Sequence, residues 1–118
     1  MARARVTVKT DLKRIAPKVS KAVQKAHFTL DQQVLKDSNN YAPMDTGNLI
    51  NSSINASKIG DGQLIWDTPY AKRLYYNPQY NFSKDKNPNA GGLWYERAKS
   101  RHLNEWIQVA DKAIKGNL

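Results

Sequence analysis

Residues 4–10 run Ala, Arg, Val, Thr, Val, Lys, Thr, placing Val6 and Val8 on one side. This period of two predicts a short strand. The period then lengthens. Ile15, Val19, Ala22, Val23, Ala26, Leu30 and Val34 recur every three or four residues, which predicts an amphipathic helix over about 14–38. Pro17 suits the first turn of that helix, and Pro43 forbids its continuation. Leu49 to Ser57 has its apolar points at Leu49 and Ile54 among Ser and Asn, and reads as a modest strand. Gly60-Asp61-Gly62 reads as a hairpin turn, with Gln63–Trp66 as the returning strand. Tyr70–Tyr76, after Pro69, reads as a short helix. Leu93–Lys115 carries Trp94, Ala98, Trp106, Val109, Ala110, Ala113 and Ile114 at helical spacing and stops at Gly116. Residues 77–92, with Pro78, Pro88, Gly91 and Gly92, read as a long loop, which in a compact domain is usually functional or disordered. The order β-α-β-β-α-α implies an α+β fold: a small antiparallel sheet packed against one long N-terminal helix and a C-terminal helix. A length of 118 residues fits a single domain, 1–118.

Composition narrows the chemistry. There are no cysteines, so disulfides, thiolate metal sites and cysteine nucleophiles are excluded. His27 and His102 are the only imidazoles, and neither a metal nor a cofactor is expected. No apolar run approaches the roughly 20 residues of a membrane span, and the N-terminus has no signal-like apolar segment, so a soluble protein made inside the cell is expected.

The formal charge is +9, unevenly spread: residues 1–28 hold eight Lys and Arg against Asp11 alone. At ~100° per residue, Arg14, Lys18, Lys21, Lys25 and Lys36 fall within an arc of about 60°, away from the apolar stripe. Such a row is either the solvated face that most amphipathic helices have, or a surface for phosphates or an acidic partner.

Nine aromatic side chains lie between Trp66 and Trp106. For Trp66 and Trp94 the composition leaves core and interface equally open. Tyr70, Tyr75, Tyr76 and Tyr80 sit beside the long loop and are of a type enriched in subunit contacts. Enzyme readings are thin. His102 and Glu105, with Tyr95 and Arg97 nearby, would serve a metal-free ribonuclease by general acid–base chemistry, but a lone helical histidine is more often a surface or boundary residue. Asp45-Thr46-Gly47 is an Asx-type turn with Gly at positive φ, or a nucleophile loop without an identifiable base.

Three stretches carry a resemblance. Tyr41-Ala42-Pro43-Met44-Asp45-Thr46-Gly47-Asn48-Leu49 with Ser52-Ser53 is similar to the P-x-D-T-G-x-L-x-x-S signature of tailed-phage minor capsid and head–tail joining proteins. Pro69 to Tyr76 resembles their P-Y-A-R-x-x-Y-Y segment. Asn87-Pro88, Gly91-Gly92 and Leu93 to Lys99 resemble their N-P-x-A and W-x-E-R-A-K stretch, with Trp106 at the place of a later tryptophan. Met44 stands where these proteins often have Phe, and Ile50 where a basic residue commonly follows the Leu. The matches run in order from about residue 41 to 115; residues 1–40 share only the layout of short strand, then long helix.

The resemblance implies a structural, non-enzymatic protein of the virion neck, made in the host bacterial cytoplasm and resident at the head–tail junction. It would form a homo-oligomeric ring of six or twelve copies between a portal-side connector or head-completion protein and a tail terminator or tail tube protein. The implied contact residues are Tyr70, Tyr75, Tyr76, Tyr80 and Trp94, the motif loop is Pro43, Asp45, Thr46 and Gly47, and Arg14, Lys18, Lys21 and Lys25 would face packaged double-stranded DNA without sequence preference. Without the resemblance, the residues alone also fit a nucleic-acid-binding module that uses the basic first helix.

Overall fold

A computed structural model of the chain describes residues 5–10, 21–44, 47–80, 82 and 84–116, and the side chains of 21–25 lie outside that description. The elements are β1 (Val6–Lys9), α1 (Lys21–Asn39), α2 (Asn48–Ala56), β2 (Gln63–Trp66), α3 (Ala71–Tyr75) and α4 (Trp94–Gly116). The α+β class stands, with a two-stranded antiparallel sheet. Its register pairs Val6 with Trp66 and Val8 with Leu64. Val6 and Val8 face inward and Thr7 and Lys9 outward, as their alternation requires. α1 and α4 form the principal helix–helix contact, and α2 lies against β2.

One expected element is wrong. Residues 49–57 do not form a strand; they form α2, so the order is β-α-α-β-α-α and the partner of β2 is β1 rather than a hairpin neighbour. The serines decide this. Leu49 and Ser53, four apart on one helix face, are both buried. Ser52 Oγ donates to Leu49 O (2.6 Å) and accepts from the Asp67 N–H (3.0 Å). Ser53 Oγ donates to Ile50 O (2.6 Å) and accepts from Asn39 Nδ2 (3.0 Å). The residues that weaken an apolar alternation thus serve as hydrogen-bonding posts for the flanking segments. The Gly60–Gly62 turn is real, but it closes only an isolated bridge between Lys58 and Gln63.

That turn is held by Asp31, a fully buried carboxylate on α1. Asp31 Oδ2 accepts from the backbone N–H groups of Gly60 (2.9 Å) and Gly62 (3.0 Å), and Oδ1 accepts from Thr10 Oγ1 (2.5 Å). His27 Nε2 lies 2.8 Å from Thr10 Oγ1 and 3.5 Å from Asp31 Oδ1. One side chain therefore gathers the end of β1, the first long helix and the turn into β2. Gly62 has φ 75°, and a Cβ there would fall 2.6 Å from the His27 ring, so no larger residue fits without displacing it.

The second half of the 77–92 loop is tied to the chain itself. Asn87 is buried and its Nδ2 donates to Asn40 O and Ala42 O, both at 2.9 Å. The Gly91 N–H donates to Tyr41 O (3.1 Å) and the Leu93 N–H to Tyr75 O (2.9 Å). Of the stretch 77–92, read from sequence as a long loop, Asn87 and Gly91 are thus fastened to the Asn40–Ala42 corner.

Replacing Asp31 by Ala takes away the acceptor of the buried Gly62 N–H, the half-buried Gly60 N–H and the Thr10 hydroxyl, the last still 2.8 Å from His27 Nε2. At about 1–3 kcal/mol for each orphaned group, the loss is expected to reach about 3 kcal/mol or more. A urea unfolding midpoint measures it; a midpoint equal to the parent's would mean that the turn is held some other way.

Candidate functional site

The aromatic segment divides into two. Tyr75 is 1 % exposed and Trp94 fully buried, and both belong to the core with Trp66. Tyr75 stands edge-on to Trp94 (4.6 Å between ring centres, 90°) and Trp66 packs against Trp94 at 5.8 Å and 65°. These are favoured aromatic geometries. The expectation that Tyr75 and Trp94 form a contact surface is therefore corrected: a domain with few other large apolar residues after Val34 needs them inside. Tyr70 is half-buried and packs against the same core. Tyr76, at 59 %, and Tyr80, at 43 %, stay exposed.

α3 sets this surface. Tyr75 turns into the core, so Tyr76 emerges at its end, one helical turn after Lys72. The Tyr80 N–H bonds to Asn77 O (3.0 Å), and Asn77 Nδ2 bonds back to Arg73 O (2.6 Å), which folds the chain after α3 into a compact turn. Tyr80 lies 6.4 Å from half-buried Phe82. Lys72, Arg73, Tyr76 and Tyr80 are the exposed products of that turn.

The described part of the motif loop leads into α2, and the later motif residues close the fold. Gly47 has φ 78° and precedes α2, as expected for a glycine there; Pro43 is half-buried; Asp45 and Thr46 lie outside the described residues. Arg97 Nη2 donates to Asn89 O (3.0 Å), and the guanidinium lies 5.3 Å from the centre of the Tyr41 ring. Arg97 thus clamps the Asn87–Gly91 strap onto the Tyr41 corner, and is not aimed at a reacting group beside His102.

His102 Nδ1 is 3.0 Å from Glu105 Oε2, and its Nε2 is 3.2 Å from Tyr41 OH. Asp37, buried on α1, accepts from Trp106 Nε1 (2.7 Å) and Gln33 Nε2 (3.0 Å) through Oδ2. Ligand atoms of Asp37, His102 and Glu105 lie within 4.8 Å of one another, the one such trio among the described residues. Each member is already hydrogen-bonded: Asp37 ties α1 to Trp106 of α4, His102 reaches the Tyr41 corner, and Glu105 pairs with His102 within α4. Tyr95 stacks on Trp106 (6.0 Å, 16°) instead of joining His102, and burial raises its phenol above the usual 10.0. A shallow, open depression lined by Glu96, Lys99, Arg101 and Leu103 runs along α4 without convergent polar groups.

Of the basic row, Arg14 and Lys18 lie outside the described residues, as do the side chains of Lys21 and Lys25; Lys36 is exposed, opposite Ala26, Leu30 and Val34. Two residues escape a reading by apolar spacing: Asp31 and Asp37. The helical wheel held the signal, because at ~100° per residue both fall inside the arc from Ala26 to Leu35. A carboxylate on the apolar side of an amphipathic helix marks a buried acceptor.

Residues 6–114 match the family model described as minor capsid protein. No curated protein and no solved structure matches the chain. No described helix is long and apolar enough to cross a membrane.

Placing Glu at Trp94 or Tyr75 is expected to unfold the chain, since even truncating such a residue costs about 3–5 kcal/mol; circular dichroism of the purified variants reads this. For Tyr95 the folded pKa lies above the unfolded value of 10.0, so its contribution to stability is complete below pH 10 and is lost as pH rises beyond it. The fall in melting temperature above pH 10 should be shallower in Tyr95→Phe than in the parent. Superimposable alkaline profiles would contradict this.

Proposed function

Since the chain belongs to the minor capsid protein family of phages, a family of structural virion proteins, we propose that it is a neck protein that joins the DNA-filled head to the tail. It acts as a single domain, 1–118, by assembly alone. Six or twelve copies form a ring between a portal-side connector or head-completion protein and a tail terminator or tail tube protein, and the ring lines or seals the DNA path. Arg14, Lys18, Lys21 and Lys25 are the residues proposed to face the duplex, whose passage needs weak, sequence-independent contacts.

The observation that carries this reading is the distribution of exposed apolar side chains. Tyr76 and Tyr80 stand after α3, while Leu103 and Ile107, four residues apart, stand on the outer side of α4. A neck subunit meets copies of itself around the ring and different proteins above and below it, so it needs more than one contact surface, and these two exposed apolar pairs are proposed to supply two of them. The excess of Lys and Arg in residues 1–28 of the sequence is compatible with a polyanion running beside the protein.

Deleting the gene and examining the lysate by electron microscopy tests the proposal. Filled heads beside separate, full-length tails are expected. Joined virions with normal necks would refute it.

A further inference from the structure

The surface after α3 has a specific electrostatic character. Lys72 and Tyr76 lie one helical turn apart, Arg73 is adjacent, and Tyr80 follows across the Asn77 turn. All four are exposed, and neither Lys72 nor Arg73 has a carboxylate within ion-pair distance among the described residues. The patch thus combines two aromatic centres with two uncompensated cations.

Among the described residues, a second copy of this chain offers no cluster of exposed carboxylates free of basic neighbours in the sequence. Asp31 and Asp37 are buried and committed to internal donors. Among the described residues, each exposed carboxylate has a basic residue within four positions: Asp61 follows Lys58, Asp85 lies between Lys84 and Lys86, Glu96 precedes Lys99, Glu105 follows Arg101, and Asp111 is bridged to Lys115 at 2.9 Å. Duplex DNA would satisfy the cations but not the tyrosines, because stacking on an aromatic ring needs an unpaired base. Tyrosine and arginine together are the side chains that anchor protein–protein contacts, with lysine at the rim.

We propose that Lys72, Arg73, Tyr76 and Tyr80 form the docking surface for a different virion protein, one presenting an apolar pocket bordered by Asp or Glu. This rests on the reading of the chain as a virion component, and names the chemistry of one of its neighbours.

The test uses the full chain, supplied in trans to a phage lacking the gene, as two variants: the charge swap Lys72→Glu/Arg73→Glu and the single change Tyr76→Ser. Both alter exposed side chains, so melting temperature and the sedimentation profile of the purified protein should match the parent. Incorporation into particles, read by quantitative blotting, should fall at least about tenfold, the loss typical of removing an interface anchor. Selected suppressors of the charge swap should replace Asp or Glu by Lys or Arg in another virion gene. Suppressors confined to this gene would point to a second copy and overturn the proposal. So would undiminished incorporation, or a matching loss of salt-dependent affinity for a short DNA duplex. Failure is distinguishable from failure of the neck reading: a phage whose heads and tails join without the gene refutes the neck, whereas normal uptake of the charge swap into particles refutes only this surface.

Discussion

A sheet of two four-residue strands is not stable in water unless other elements brace it. Here the brace is a single buried carboxylate. Asp31 receives the Thr10 hydroxyl just past β1 and two N–H groups of the turn before β2. The sheet's position on α1 follows from that grip, and the placement of Val6, Val8, Leu64 and Trp66 in the core follows from the sheet. An unsatisfied buried carboxylate would be costly, so the same interaction is also specific: only this arrangement of strand end, helix and turn provides the three donors.

The pattern of buried polar ties repeats elsewhere. Trp66 Nε1 donates to Asn39 Oδ1 (2.8 Å), and Asn39 in turn donates to Ser53. Trp106 donates to Asp37, and Asn87 reaches the carbonyls of Asn40 and Ala42. Each tie crosses between elements far apart in the chain and orients a bulky ring or a bare corner. The core supplies most of the burial, while these polar ties select one packing among several that apolar contact alone would tolerate. Several of the residues that carry the phage signature, Asn87, Gly91 and Arg97 among them, are engaged in this way, so the signature records how the fold is closed at least as much as where it meets its neighbours.

Period and punctuation made much of the architecture legible. Val6 and Val8 marked β1, the Ala26–Leu30–Val34 spacing marked α1, and Pro69 and Gly116 bracketed the later helices where they are found. α2 was not legible, because Ser and Asn have little intrinsic preference and its decisive contacts, to Asn39 and Asp67, come from distant parts of the chain. The aromatic segment was half legible. Composition identifies tyrosines able to serve either core or surface, but only the close of α3 separates Tyr75 from Tyr76. The trio around His102 shows the converse: residue types suited to catalysis are consumed here in structural hydrogen bonds, of which Asp37 to Trp106 joins two helices.

Tyr75 and Tyr76 are consecutive, their rings 5.0 Å apart, one inside the molecule and one outside. The outer ring therefore has no slack. A pull on Tyr76 passes through one peptide unit to Tyr75, across the edge-on contact to Trp94 at the root of α4, and on to Trp66 in the strand pair. In the neck role proposed for this chain, a contact made through Tyr76 is coupled by this succession of rings to the longest described helix and to the strand pair.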